Sequence, residues 1–341
     1  MTPTGNERTA RYLGVAALGL VILFVLSFSV GRYPVGVSEL LQLFWSKISG
    51  VPSGLPAVLE TVVFKVRGPR VLASMIVGAV LAVSGAVYQG LFRNPLVSPD
   101  ILGVSSGSAL GAVLGIYFSL GVVAIQILAF AGGLGAVAAV YLIGTFLQHH
   151  DRVLSLVLAG IVIGTLLGSV VGLIKYLADP YNQLPAITFW LLGSLTGIAA
   201  ADLWTILPAV VIGLVPLYLL RWRINVMTLG DEEAQSLGVD TKRIRAVVVA
   251  AATLMTAAAV SVSGIIGWIG LLIPHFARLL VGPDFARLLP VAALLGAGYL
   301  LGVDTLARTI STVEVPLGVL TAFIGTPFFI WVLAVSQKAW R

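Results

Sequence analysis

The chain has 341 residues, 59% of them hydrophobic and 10% charged, with mean hydropathy +1.06 and a net charge of +6. Soluble domains usually carry about a quarter charged residues, so the composition excludes an ordinary soluble domain and points to an all-α, polytopic membrane protein. Cysteine is absent, which excludes disulfides and thiolate metal sites. The positive balance reads as a topology signal in short loops rather than as a nucleic-acid surface.

In chain order, Arg8 and Arg11 precede an apolar run from Tyr12 to Val30. It is longer than the roughly 7–15-residue core of a secretory signal, so it reads as a first membrane helix after a cytoplasmic tail, residues 1–11. A spanning helix needs about 20 apolar residues. On that rule ten spans are expected: 12–31, 69–91, 99–118, 122–147, 154–177, 201–220, 245–264, 266–281, 287–304 and 315–336. They form one transmembrane domain over 1–341. Two stretches do not span. Residues 32–66 carry PVGVSELLQLFWSKI, an amphipathic helix expected at the outer surface. Residues 179–200, with Pro180, Pro185, Phe189 and Trp190, suit a short interfacial helix on the same side.

Ten spans put both termini on one face, with 13 of the 20 Lys and Arg residues, so that face is assigned to the cytoplasm. Arg67, Arg70 and Arg308 fall on the outer face, where positive charge needs a separate reason.

Between Arg67 and Gly115 the chain makes a hairpin. An uncharged run from Val71 to Phe92 meets a polar elbow, FRNPLVSP, and a second helix follows. That helix carries Gly103, Gly107, Gly111 and Gly115, four apart and hence near one face. Gly160, Gly164, Gly168 and Gly172 repeat the device in the fifth span. Such grooves let helix backbones approach closely in lipid, and two of them beside polar elbows suggest helices lining a common pathway. VYQGLFRNPLVSPDILGVSSG also resembles VSGIIGWIGLLIPHFARLLVG. Each is a small-residue run, a proline elbow and a further helix, giving an inverted internal repeat of spans two to five and seven to ten.

The longest polar break, residues 228–245, faces the cytoplasm and includes LGDEEAQSLG. Asp231, Glu232 and Glu233 suit the first turn of a short helix. Leu229, Ala234 and Leu237 would leave apolar surface beside the charges, as a docking element does. The five lysines never follow glycine, so no phosphate-binding GxxxxGK[ST] loop exists and any ATP-driven work falls to another chain. No carboxylate pair sits mid-membrane; Asp304 and Glu314, near the outer ends of the last two spans, are the best remaining proton-relay candidates. His149 and His150 are adjacent and so diverge on a helix, and His275 reads as a packed polar residue. No metal site and no nucleophile arrangement is expected.

The strings RGPRVLASMIVGAVLAVSGAVYQGLFRNPLVSPDILGVSSG, LVLAGIVIG, FWLLGSL, LGDEEAQSLGV, GIIGWIGLLIPHFARLLVG and VPLGVLTAFIGTPFFIWVL occur in order from about residue 60 onward. Together they make the chain resemble the permease family of ABC importers for iron–siderophores, haem and cobalamin. The resemblance implies a non-catalytic homodimer of ten-helix subunits in the inner membrane. Two cytoplasmic ATPase subunits would hold the ATP and Mg, with no cofactor on this chain, and a periplasmic or lipid-anchored substrate-binding protein would deliver cargo. It assigns Arg67, Arg70 and Arg308 to docking of the binding protein. ATPase coupling falls to Leu229, Gly230, Asp231, Glu232, Glu233, Ala234, Leu237 and Gly238, and a cytoplasmic gate to Asn94, Pro95 and Leu96. A second gate of hydroxyl residues before the fifth span is not matched, because Val153 and Leu154 stand there. The expected cargo is an iron chelate, with cobalamin or a molybdate-type oxyanion as the alternative. An ion-coupled secondary transporter would need a mid-membrane acid.

Overall fold

A computed structural model describes residues 5–146 and 152–339. His149 and His150 lie outside them. The helices are α1 (Gly5–Ser29), α2 (Val37–Ser49), α3 (Ala57–Leu91), α4 (Val104–Tyr117), α5 (Val122–Phe146), α6 (Arg152–Leu177), α7 (Gln183–Leu191), α8 (Ala200–Leu219), α9 (Arg221–Met227), α10 (Asp231–Ser236), α11 (Thr241–Ser263), α12 (Ile269–Val281), α13 (Phe285–Thr309) and α14 (Leu317–Ala339). Among the described residues seven helices are long and apolar enough to cross a membrane, and α4, α12 and part of α14 form three shorter apolar helices. Apolar helices thus stand at the ten places where spans are expected, with α4 and α12, of 14 and 13 residues, shorter than a full crossing.

The chain is organised around α3. Its most apolar window is 78% buried and that of α11 72%, against 11% for α1, which lies at the periphery. Small residues make this density possible. A methyl on Gly78 of α3 would overlap the Gly296 carbonyl of α13, and one on Gly296 would overlap the Gly78 carbonyl. Between two helices in lipid, close approach of this kind supplies the dispersion contact that water-driven burial cannot.

The two halves repeat in helix length. After the π-helical turns of α3, the α-helical part Gly68–Leu91 has 24 residues, and α4, α5 and α6 have 14, 25 and 26. The matching set α11, α12, α13 and α14 has 23, 13, 25 and 23. In each half a long helix ends in an elbow and a helix of about half length follows. The first elbow lies at the end assigned to the cytoplasm and the second at the outer end, as an inverted repeat requires.

At the outer end α2 packs through Leu40 and Leu43 onto Phe28, Leu59, Val63 and Val71. This places the expected amphipathic helix over α1 and α3. Residues Thr61–Arg67 of α3 wind as a π-helix, with the Gly68 N–H bonded to the Val63 carbonyl. Pro69, two residues on, has no N–H to give the α ladder, and π turns commonly mark functional stretches. Here the wider turn swings Arg67 inward.

Candidate functional site

Three clusters follow from this frame: one at the outer end, one at the first elbow and one on the loop between α9 and α11. At the outer end the structure brings Arg67, Arg70 and Arg308 together, but not as free outward cations. Arg67 is buried and donates to the carbonyls of Phe28 and Tyr33, the latter at 2.6 Å. Arg70 is also buried; its Nε meets Asp304 Oδ1 at 2.9 Å and its Nη1 meets Glu314 Oε2 at 2.9 Å. Arg308 Nε reaches the other oxygen of Asp304 at 3.1 Å, and its Nη2 donates to Ser27 Oγ at 2.7 Å. Asp304 is fully buried. The expectation of three arginines open to a partner's carboxylates is corrected on this point. Buried Arg70 and half-buried Arg308 flank one buried anion, as an uncompensated charge in this setting would be costly. The same pairing removes Asp304 as a free proton-relay candidate.

Glu314 extends the cluster. Thr196 Oγ1 donates to its Oε2 at 2.6 Å. Partial burial pushes the Glu314 carboxyl up, but the Thr196 hydroxyl, the paired Arg70 and the nearby Arg308 together hold it below its ordinary value. Three backbone bonds join the same loops: Ser194 N–H to Ser263 O at 2.8 Å, Leu317 N–H to Gly193 O at 2.9 Å, and Gly318 N–H to Leu192 O at 3.0 Å. A methyl on Gly193 would overlap the Ile265 carbonyl, and Gly193 adopts φ +73°. The outer ends of α1, α3, α7, α11, α13 and α14 are thus tied into one junction. The Asp304–Arg308 pair could be found in sequence from its i,i+4 spacing; Ser27 and Thr196 carried no signal. Beside the junction, an open depression of about 740 Å³ is lined by Arg32, Arg308 and residues 309–312.

At the elbow, Asn94, Pro95 and Leu96 are all exposed, Leu96 at 55%. Arg93 takes φ +48°, reversing the chain, and Asn94 Oδ1 accepts the Leu96 N–H at 2.9 Å. Gln89 fixes the elbow to α12: its amide donates to Leu271 O at 3.0 Å and accepts from Arg278 Nη1 at 3.0 Å. Gly103, at φ +78°, opens α4 as a turn residue and faces Gly160 and Gly164 of α6 at ordinary contact distance. Gly107 and Gly111 pack on α5, where a methyl on either would overlap a backbone carbonyl, of Gly132 and Leu128 respectively. Gly160 meets the Ile101 carbonyl in the elbow, and Gly164 faces Ser106 at ordinary contact distance. Gly168 and Gly172 meet nothing within 4 Å. The second ladder is therefore used at its elbow end only, and its remainder faces away from this chain.

On the loop between α9 and α11, α10 forms where the acids predicted it. Arg245, a buried residue of α11, holds Asp231 at 2.6 Å. Glu232 and Glu233 are exposed. Leu229 and Leu237 are exposed, at 59% and 57%, whereas Ala234 is fully buried. The expected apolar trio reduces to two leucines, because the small alanine faces the body. Gly230 adopts φ +141° and Gly238 φ +79°, backbone conformations that favour glycine. Before α10, Asn225 of α9 bonds Asp284 Oδ1 at 2.7 Å and accepts the Phe285 N–H at 2.8 Å. The loop is anchored to α11 on one side and α13 on the other, so a push on α10 reaches both. No cluster of three or more metal-ligating side chains occurs among the described residues.

Half-length helices after two elbows, a tied outer junction and a presented loop helix suit a transport subunit. The profile of the FecCD transport family matches residues 19–335. The chain belongs to the FecCD transport family. As a FecCD protein it is a multi-pass ABC importer permease, a transport subunit. It is 40% identical to the molybdate import system permease protein MolB of Haemophilus influenzae, over 91% of each chain. It is 37% identical to the hemin transport system permease protein HmuU of Yersinia pestis, over 94% of this chain and 96% of that one. Its fold is similar to a solved metal-chelate type ABC transporter in an inward-facing conformation, at TM-score 0.86 and 38% identity, covering 95% of this chain and 99% of that one.

Proposed function

We propose that this FecCD permease passes an iron chelate, a siderophore complex or haem, from the periplasm to the cytoplasm across the inner membrane. It works as a homodimer on two ATPase subunits and receives cargo from a binding protein. The observation that carries the reading is the outward face of α6. Between Arg152 and Lys175 the helix has no charged residue, and Thr165, Gly168, Ser169 and Gly172 are exposed on it. A wall of small and hydroxyl residues, flanked by the exposed apolar Ile161, Val162, Leu166 and Leu173, offers no charged hold on cargo, which suits release of a bulky chelate. A small oxyanion would call for cations along its path; the similarity to MolB nonetheless makes molybdate the second reading.

In this scheme Asn94, Pro95 and Leu96 close the inner end, and α10 with Leu229 and Leu237 docks the ATPase. The binding protein docks at the outer depression, where its acidic side chains would meet the exposed Arg32, with Arg308 committed to Asp304 at the floor. Arg67 and Arg70 support that surface from beneath. The cargo assignment is tested by titrating the cognate binding protein with a ferric siderophore, haem, cobalamin and molybdate. Tight binding of an iron chelate is expected; tight binding of molybdate alone would replace the reading with the second.

A further inference from the structure

A cleft of about 470 Å³ opens at the outer half of the chain, on the flank of the outer junction, with Phe28, Gly68 and Pro69 in its lining. One wall is a ladder of four rings: Phe24 lies 4.9 Å from Phe28, Phe28 5.8 Å from Phe44, and Phe44 5.5 Å from Phe64. The opposite wall is the first part of α8, with Leu203 and Trp204, and Trp204 is 73% exposed at the mouth. From Ala200 to Leu207 the cleft runs about 10 Å along α8 at 1.5 Å per residue, within one leaflet of a hydrocarbon core about 30 Å thick.

The lining is almost wholly apolar, so water entering it would find none of the two to four polar partners it needs. Left empty, the rings would forfeit their dispersion contacts on one side. A hydrocarbon chain from the adjoining leaflet satisfies both conditions. At the aqueous end, Lys47 Nζ stands 5.7 Å from the Phe64 ring centroid and 4.0 Å from Glu60 Oε1, and both charged side chains are more than half exposed. Cation and anion side by side above an apolar cleft complement a phosphate and an ammonium on one headgroup.

We propose that this cleft is a phospholipid site. It takes one acyl chain of an outer-leaflet aminophospholipid, with the headgroup phosphate on Lys47 and its ammonium on Glu60. The cleft shares no lining residue with the depression proposed above for docking. Beside it, α2 presents Leu41, Trp45 and Ile48 as an exposed apolar stripe, which sets this end of the chain at the membrane interface.

The test uses the permease purified from membranes containing phosphatidylethanolamine and phosphatidylglycerol, delipidated stepwise and weighed by native mass spectrometry. One phospholipid per chain should persist longest, with phosphatidylethanolamine retained about five-fold over phosphatidylglycerol, the ratio expected of one exposed charge pair. Leu203→Trp fills the cleft and should abolish that retention. Glu60→Gln leaves the cleft intact and should erase the headgroup preference, so the proposal stays testable if Leu203→Trp does not fold. Phosphatidylethanolamine with brominated chains should quench the parent protein more than Trp204→Phe. Equal retention by the parent and Leu203→Trp, an unchanged preference in Glu60→Gln, or spontaneous crosslinking of Trp204→Cys between two chains would overturn the proposal. The last result would put a second copy over the cleft.

Discussion

Asp304→Asn is the sharpest perturbation of the outer junction. The parent carboxylate lies fully buried between Arg70 Nε at 2.9 Å and Arg308 Nε at 3.1 Å. The amide keeps the shape and one acceptor but loses the charge. Removing one member of a buried ion pair costs about 3–5 kcal/mol, because the partner's charge stays desolvated. The two arginines suffer unequally. Arg70 retains Glu314 at 2.9 Å, whereas Arg308 retains only neutral oxygens, among them Ser27 Oγ at 2.7 Å. Most of the loss therefore sits on Arg308. At about 2 °C per kcal/mol, the lower end for large domains, thermal unfolding should fall by about 6–10 °C. The assay is tryptophan fluorescence of the purified, detergent-solubilised permease on heating. Adding Arg308→Gln to Asp304→Asn removes the stranded cation, so the double variant should be more stable than the sum of the two single losses predicts. A shift within about 1 °C for Asp304→Asn, or strictly additive losses, would refute the account of the junction.

Glu314→Gln should cost only about 1 kcal/mol, since that carboxylate is partly solvated and screened. Its carboxyl is held below the ordinary value of 4.5, so its contribution is present above that pH and is lost as pH falls through the lowered value; unfolding of the parent should show this acid-side loss and Glu314→Gln should lack it. Leu237→Asp with Leu229→Asp should release the ATPase in pull-down while leaving the permease inserted, and unchanged co-purification would remove α10 from the docking role. Leu96→Cys should crosslink between the two copies of a cargo-free homodimer; failure beside a working control pair would move the gate elsewhere. The permease alone should show no ATP hydrolysis, and turnover by the isolated chain would end the importer reading.

The sequence made much of this legible, for physical reasons. Long apolar runs broken by Pro95, Pro99 and Pro274 announced spans, elbows and short helices, because backbone breaks at membrane depth need special residues. The acids at 231–233 announced α10 through the helix dipole. Side-chain direction was not legible. Arg67, Arg70 and Arg308 were correctly grouped but were expected to face out; a π turn turned Arg67 inward, and acids over 200 residues away paired Arg70. Ala234 was expected outside and lies inside, since a six-residue helix has no periodicity long enough to show its face. Gly168 and Gly172 continue the ladder in sequence but meet nothing within 4 Å. The ring ladder around the lipid cleft joins residues from α1, α2 and α3, and no spacing within one helix reveals it.

The central claim is an ATP-driven passage for a bulky iron chelate. It is tested most directly in vesicles containing this permease, its ATPase and its binding protein, loaded with a radiolabelled ferric chelate outside and ATP within. The account predicts uptake that requires all three components and ATP, stops with an inactive ATPase, and persists when proton and sodium gradients are collapsed. Uptake that needs no ATPase, or that follows an ion gradient, would contradict it.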